Sequence, residues 1–263
     1  MRLALVILGL WVIACLGYPL WPIDPNAVRL DSMLAAPGPH AWLGYDELGR
    51  GVWDRLLAGA VVSLQVALVA VSGSALIGIP VGLVSGYVGG AADHLVVRVI
   101  DVVLAFPGLL LAIALAGMLG PGVGNVMIAL VAVGWVGFAR LTRAQVLSLR
   151  ERDHVLAARV LGTGTWRILA QHLLPLCAAP LIVEATFGIA VAVLSEAGLS
   201  YLGLGVQPPA ASWGSMIRDG SRYLLVAPHY VLAPGVALCL VVLAVNLAGD
   251  ALRDRLDVTL RRE

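Results

Sequence analysis

The stretch LLAGAVVSLQVALVAVSGSALIGIPVGLVSGYVGGAA, residues 56–92, contains no charged side chain. A helix needs about 20 apolar residues to cross the hydrocarbon of a bilayer, so this run holds a complete span, which we place at about 58–84. Within it, Ser74, Gly78 and Gly82 recur four residues apart and share one helix face. Small side chains in that arrangement predict close packing against a neighbouring transmembrane helix.

The chain as a whole is also apolar: 60% of its 263 residues are hydrophobic, 13% are charged, and the mean hydropathy is +0.94. A soluble domain carries about 25% charged residues. Five further runs are predicted to span the membrane, at about 3–21, 102–119, 126–143, 178–198 and 227–249. GPGVGN, residues 120–125, separates two of these runs. Pro107, near the start of the 102–119 run, should bend that span. The prediction is an all-α, polytopic membrane protein with six transmembrane helices.

The first run has an alternative interpretation. VIAC, residues 12–15, resembles a lipoprotein cleavage site, so residues 3–21 could be a signal peptide. We favour a retained helix because the run continues past Cys15 to the length of a full span.

Several kinds of site are excluded by residue type and spacing. The sequence contains no Lys, so it cannot form a Walker A phosphate loop or a Schiff base. Its three cysteines and five histidines are scattered and show no metal-ligand spacing. The net charge of +1 gives no indication of nucleic-acid binding. We therefore expect no catalytic site, metal site or cofactor on this chain.

The distribution of arginine predicts the orientation. Six spans place both termini on one side of the membrane, together with a charged turn at 85–101 and the 140–177 segment. Those regions carry twelve arginines: Arg2, Arg98, Arg140, Arg143, Arg150, Arg152, Arg159, Arg167, Arg253, Arg255, Arg261 and Arg262. The opposite side carries five: Arg29, Arg50, Arg55, Arg218 and Arg222. Because positive residues accumulate in cytoplasmic loops, we expect both termini in the cytoplasm.

One predicted cytoplasmic segment is unusually polar: RDHVLAARVLGTGTWRILAQHLLP, residues 152–175, which we call the central segment. It favours a first helix that ends at Gly162, where a positive φ is tolerated. Thr163 or Thr165 should cap a second helix, and Leu174-Pro175 should end it, because a residue before proline disfavours the α region. The expected product is a two-helix knob that could dock on a partner.

The central segment resembles the EAA loop of ABC-importer permeases: AARVLG, nine residues, then HLLP. Ala157, Ala158, Gly162, Leu174 and Pro175 match the spacing of that motif, whereas Leu156 replaces its Glu. WLGYDELGRGVWDRLLAGAVVSL, GLVSGYVGG, AFPGLLLAIAL and EAGLSYLGLGVQPPAASWG are similar to the C-type subunit of the peptide/nickel branch.

The resemblance implies a type I importer permease in a bacterial or archaeal inner membrane. Residues 1–56 would form the first span and an external amphipathic segment. In this segment Leu48, Val52 and Leu56 recur every four residues, and that spacing by itself predicts a short amphipathic helix leading into the next span. Residues 57–263 would form the permease domain, with a coupling loop at about 148–175. The residues implied in coupling to the ATPase are Arg152, Asp153, Leu156, Ala157, Ala158, Gly162, Leu174 and Pro175.

The resemblance also implies partners. These are a homologous sister permease, two ATPase subunits that bind ATP and Mg²⁺, and an extracytoplasmic solute-binding protein. Dipeptides, oligopeptides, glutathione and nickel all remain open as substrates.

Two acidic residues fall within the fifth predicted span or at its end, Glu184 and Glu196. Carboxylates in a span normally face protein or a water-filled cavity, so each could line a passage or pair with a polar neighbour. The alternative function is an ion-coupled secondary transporter that uses these two residues for protons. Such a transporter would show an internal inverted repeat, and the sequence contains no convincing one.

Overall fold

The computed structural model describes residues 2–22, 24–39 and 41–256. Arg261 and Arg262, which contribute to the predicted orientation, lie outside these ranges. Within them the chain forms no β-strand, and the all-α prediction is confirmed. The nine helices of the described residues are α1 (Arg2–Gly17), α2 (Val52–Val88), α3 (Gly90–Leu104), α4 (Gly108–Leu119), α5 (Val123–Leu149), α6 (Asp153–Val160), α7 (Thr165–Tyr201), α8 (Trp213–Ser221) and α9 (Pro228–Leu256). Short 3-10 turns at Tyr18–Leu20 and Leu30–Ser32 interrupt the connection between α1 and α2.

Five of these helices are long and apolar enough to cross a membrane: α1 with the turn after it, α2, α5, α7 and α9. The predicted third span, 102–119, is not one straight helix. It is divided between α3 and α4, whose axes differ by 86°. Pro107 causes the break: it precedes α4 with an extended ψ of 123° and has no N–H to continue the ladder of α3. Counted as one broken span, the pair brings the number of candidate spans among the described residues to six.

The prediction of a charged turn at 85–101 is also wrong. α2 continues to Val88 and α3 begins at Gly90, so most of those residues are helical. The reversal is confined to Gly89 and Gly90, with φ of +68° and +59°. Glycine reaches such angles without a steric penalty, so two residues suffice where a longer turn was expected.

The predicted amphipathic helix through Leu48, Val52 and Leu56 does not form as a separate element. α2 begins at Val52 and runs without interruption. Before it, the Asp46 side chain accepts hydrogen bonds from the backbone N–H groups of Leu48 and Arg50 and holds this stretch as a turn.

Leu174-Pro175 does not end a helix, contrary to prediction. α7 passes through both residues, and its stretch Ile168–Leu173 is π-helical. Pro175 lies in the first turn of the regular helix that follows, where the missing N–H is tolerated. The N-cap of α7 is Gly164, and no side chain forms a capping hydrogen bond there. The prediction that Thr163 or Thr165 caps this helix is therefore wrong.

The helices pack as an up-and-down bundle around α2. α5 runs parallel to α2, since Gly73 lies against Val131 and Gly86 lies against Val146. α7 runs antiparallel to α2, since Glu196 contacts Ser63 whereas Gly188 packs against Val71.

The bundle has two distinct ends. The connections α1–α2 and α7–α9 meet at one end, where Arg55 donates hydrogen bonds to the carbonyl oxygens of Pro25 and Pro209. We call this the loop end. The central segment lies at the opposite end.

Candidate functional site

The central segment is folded back onto the bundle. Val155 and Ala158 of α6 are buried in one apolar cluster with Ile168 and Leu169 of α7. The Arg159 guanidinium lies 5.2 Å from the ring centroid of Tyr87 in α2, a cation–π distance. These contacts attach α6 to both α2 and α7, so displacement of α6 would be transmitted to the bundle.

Gly162 makes the turn after α6. Its φ is +76°, as the sequence predicts for a helix-ending glycine. Its N–H donates to the carbonyl of Arg159, and the N–H of Thr163 donates to that of Ala158. This pair of bonds is the Schellman motif, which requires a left-handed residue at the Gly162 position. No atom lies within 4 Å of a Cβ built there, so the requirement is one of backbone conformation rather than of space.

An exposed apolar patch covers the outer face of this turn. Leu156 and Val160 are four residues apart on α6, and Leu161 and Trp166 flank Gly162; we call these four residues the elbow patch. Val160 is 87% exposed and Leu161 is 84% exposed. Four exposed apolar side chains within eleven residues make this turn a candidate interaction surface.

The structure separates the residues that the resemblance assigned to coupling. Arg152, Asp153, Leu156, Ala157 and Gly162 are exposed around α6, whereas Ala158 is buried beneath it. Leu174 and Pro175 lie beyond the π-helical stretch, in the wall of α7. Only the 152–162 part therefore forms a common surface.

The small-residue face of α2 lies against α5. A Cβ on Gly78 would collide with the carbonyl oxygen of Trp135, and one on Gly82 would stand 2.5 Å from that of Ala139. Ser74 is buried beside Gly134. Backbone thus packs on backbone along this pair of helices, as small-residue faces permit in membranes.

Glu184 lies near the middle of α7, and the residues of α5 and α2 packed around this part of α7 also lie near the middle of their helices. Its Oε1 is 2.9 Å from where a Cβ on Gly137 of α5 would stand, and one turn further Gly188 packs against Val71 of α2. Glu184 lines two cavities, of about 380 and about 620 Å³. α7 begins earlier than the predicted fifth span, because its first turns belong to the central segment and pack against α6.

Glu196 has a different environment, near the loop end. It is 1% exposed; its Oε1 accepts a 2.6 Å hydrogen bond from Ser200, and its Oε2 accepts one from Ser63 of α2 at 3.4 Å. Ser200 in turn accepts the backbone N–H of Val206. Glu196 therefore ties α7 to α2 and to the loop that follows α7. The structure does not bring Glu184 and Glu196 into one site.

Sequence reasoning missed an ion cluster at the loop end. Asp46 is fully buried and pairs with Arg50 at 2.6 Å and with Arg55 at 3.3 Å; Glu47 also pairs with Arg50, at 2.9 Å. The four-residue spacing of Asp46 and Arg50 was a usable signal, but the part played by Arg55 depends on the fold.

Residues 78–262 match the family described as "Binding-protein-dependent transport system inner membrane component". The chain belongs to this family. It is thus a membrane component of a binding-protein-dependent transport system, which agrees with its multi-pass helical fold.

Two relatives extend the similarity over nearly the whole length of this inner membrane component. It is 41% identical over 254 residues to the dipeptide transport system permease protein DppC of Alkalihalophilus pseudofirmus, covering 96% of this chain and 84% of the relative. It is also 41% identical over 257 residues to the nickel transport system permease protein NikC of Escherichia coli K12, covering 97% and 93%. The resemblance to the peptide/nickel branch is confirmed.

A solved structure shares the fold. A chain of the MetNI methionine ABC transporter in an inward-facing conformation superposes with a TM-score of 0.60 at 20% identity, covering 77% of this chain and 96% of that chain. The type I permease architecture expected from the sequence is therefore observed.

Proposed function

We propose that this inner membrane component is one permease subunit of an ABC importer and forms half of the translocation passage. A homologous sister permease would supply the other half, two separate subunits would bind ATP and Mg²⁺, and an extracytoplasmic binding protein would deliver the solute. The family match and the two permease relatives support this assignment. ATP must act on another chain, because a sequence without Lys lacks the phosphate-binding Lys of a Walker A loop.

The observation that carries the coupling role is the elbow patch. Its apolar side chains are presented on a Schellman turn whose buried side contacts α2 and α7. An ATPase subunit bound to the patch would move both helices when the ATPase subunits close together. ATP would act through its different affinity for the open and closed states.

Leu156 alters the character of the proposed contact. It occupies the position of the motif Glu and is exposed next to Val160 on the outer face of α6. A carboxylate there would need a polar or cationic partner, whereas Leu favours an apolar groove. We propose that the ATPase partner presents such a groove to the elbow patch.

The arginine distribution supports a cytoplasmic position for the elbow patch and both termini, with the loop end outside. Dipeptides, oligopeptides, glutathione and nickel remain the candidate solutes, and the two relatives named for dipeptide and nickel transport span part of this range.

The alternative of an ion-coupled secondary transporter receives no support. Relatives aligned along 96–97% of the chain are permease proteins of dipeptide and nickel transport systems. Glu184 and Glu196, which that mechanism would join in one proton path, lie in separate environments.

Cross-linking tests the docking proposal directly. Leu161→Cys, in a variant with Cys15, Cys177 and Cys239 replaced by Ala, should cross-link to the ATPase subunit of the purified complex through a short bifunctional thiol reagent. The matched control is Leu225→Cys, because Leu225 is 98% exposed at the loop end. Cross-linking of Leu225→Cys instead of Leu161→Cys would overturn the proposal.

A further inference from the structure

The carboxylate of Glu184, near the middle of α7, faces two cavities within the bundle. On insertion scales a charged side chain at the centre of a span costs about 2.5–3.5 kcal/mol, so it faces protein or water rather than lipid. Here it faces both of the cavities that it lines, which also share Phe187. Gly137 leaves room for the carboxylate, since any side chain there would meet its Oε1.

The carboxylate has no positive partner among residues 2–22, 24–39 and 41–256. None of their arginines or histidines lies within 4.0 Å of it, and none of their polar groups hydrogen-bonds to it. By contrast, Asp46 and Asp93 are both paired with arginine. Glu184 is therefore an intramembrane charge whose partner is not supplied by the described part of this chain.

Among the described residues, Glu184 is the single charged side chain in the lining of the 380 Å³ cavity, and it shares the 620 Å³ cavity with Arg253. The 380 Å³ cavity is otherwise apolar except for Ser74 and Ser195, and its walls come from α2, α3, α4, α5 and α7. The 620 Å³ cavity adds Gln145 and Arg253, the latter close to the end of α9. Glu184 is the single carboxylate in either lining, as far as the chain is described.

The two cavities together follow α7 through the depth of the bundle. One reaches Ser195, near the loop end, and the other reaches Arg253 and Leu256 at the end where the central segment lies. Glu184 and Phe187 are the residues common to both. A solute moving along this face of α7 would pass the carboxylate midway.

We infer that Glu184 is a transient binding point for the positively charged group of the transported solute, either the ammonium of a peptide or a metal cation such as Ni²⁺. The inference rests on the proposed function and narrows its substrate class. In a low-dielectric cavity an unpaired carboxylate attracts a cation strongly and repels an anion. A single carboxylate, with Arg253 as the other charged group in the 620 Å³ cavity, also releases the cation again, as conduction requires.

The test uses the complete transporter, with sister permease, ATPase subunits and binding protein, reconstituted in liposomes. Uptake is measured for three probes: a dipeptide with a free amino terminus, the same dipeptide N-acetylated, and Ni²⁺. Wild type should carry at least one cationic probe and should carry the acetylated dipeptide poorly. Glu184→Gln should lower uptake of the cationic probe about tenfold, the loss expected from one charge-assisted contact, while binding-protein-stimulated ATP hydrolysis stays within about twofold of wild type.

Two further variants separate binding from structure. Asp101→Asn removes an exposed carboxylate of α3 that lines neither cavity, and it should take up the probe like wild type. Glu184→Asp keeps the charge and should recover most of the uptake lost in Glu184→Gln.

Three results would overturn the inference: wild-type uptake of the cationic probe by Glu184→Gln, equal loss in Glu184→Asp, or preferred transport of the acetylated dipeptide. Failure of the wild-type chain to assemble with ATPase subunits would instead contradict the proposed function.

Discussion

Arg143 donates two hydrogen bonds to Asp93, from Nε at 2.6 Å and from Nη2 at 2.7 Å, across 50 residues of sequence. Ser85 of α2 lies against the same carboxylate. The pair fixes the start of α3 onto α5 just after the glycine reversal. It thereby sets the direction in which the broken span enters the membrane.

Breaking that pair should loosen the bundle. Arg143→Ala leaves a partly buried carboxylate without its bidentate partner, which costs about 1–3 kcal/mol. We expect the detergent-purified protein to unfold at a lower temperature, measured by thermal denaturation. Arg140→Ala, an exposed arginine of the same helix, should unfold like wild type; an equal loss in both variants would contradict the structural role of the pair.

Because α2 and α5 are in close contact, one added methyl group between them should clearly lower the stability of the protein. In Gly82→Ala, the added Cβ would meet the carbonyl oxygen of Ala139 at 2.5 Å and the Cβ of Thr142 at 2.7 Å, so the helices must separate. We expect a loss of about 1–3 kcal/mol, the usual cost of overpacking, seen as a lower denaturation temperature. Gly117→Ala in α4 meets nothing within 4 Å and should be neutral or slightly stabilising. The account fails if Gly82→Ala is equally harmless.

Glu196 is expected to act in structure rather than in transport selectivity. Glu196→Leu would leave the hydroxyls of Ser63 and Ser200 without their acceptor in a buried site, at about 1–3 kcal/mol. Glu196→Gln keeps an acceptor oxygen and should retain most of the stability. Uptake and denaturation temperature should fall together in the Leu variant; a selective change in substrate preference with unchanged stability would refute this role.

The orientation can be measured by thiol labelling. In the cysteine-free background, Leu225→Cys at the loop end should react with a membrane-impermeant maleimide in intact cells. Leu161→Cys in the elbow patch should react only after the membrane is inverted or opened. Both residues are highly exposed, so access to the reagent depends on the side of the membrane rather than on burial. The reverse pattern would place the coupling surface outside the cell.

Five of the six predicted spans correspond to helices long and apolar enough to cross a membrane, because long charge-free runs have few alternatives in a bilayer. The turn at Gly162 was also predictable, since it depends on one residue's backbone freedom. The predicted helix boundaries were wrong where a rule for a single residue did not account for the helix around it. Pro175 was expected to end a helix, but a π-helical stretch before it accommodates the missing N–H.

The polar contacts were less predictable because their partners are distant in sequence. Asp93 looked like part of a charged turn, and nothing local relates it to Arg143. The elbow patch could be located from its motif, yet its exposed side depended on how α6 packs against Ile168 and Leu169. The cavities beside Glu184 could not be predicted, because residues of several helices form them.

The most direct test of the coupling role compares two neighbouring glycines. Gly162 has φ of +76°, whereas Gly164 has φ of −62°, and a Cβ on either would meet nothing within 4 Å. Valine is strained only at the first position. The measurement is solute uptake per ATP hydrolysed by the reconstituted transporter. We expect Gly162→Val to insert normally but to lose at least about 90% of this ratio, or to lose the ATPase subunits, because valine would add about 1–3 kcal/mol of strain at the Schellman turn. Gly164→Val should remain near wild type. A Gly162→Val transporter that carries solute with a normal ratio would contradict the assignment of the elbow as the coupling element.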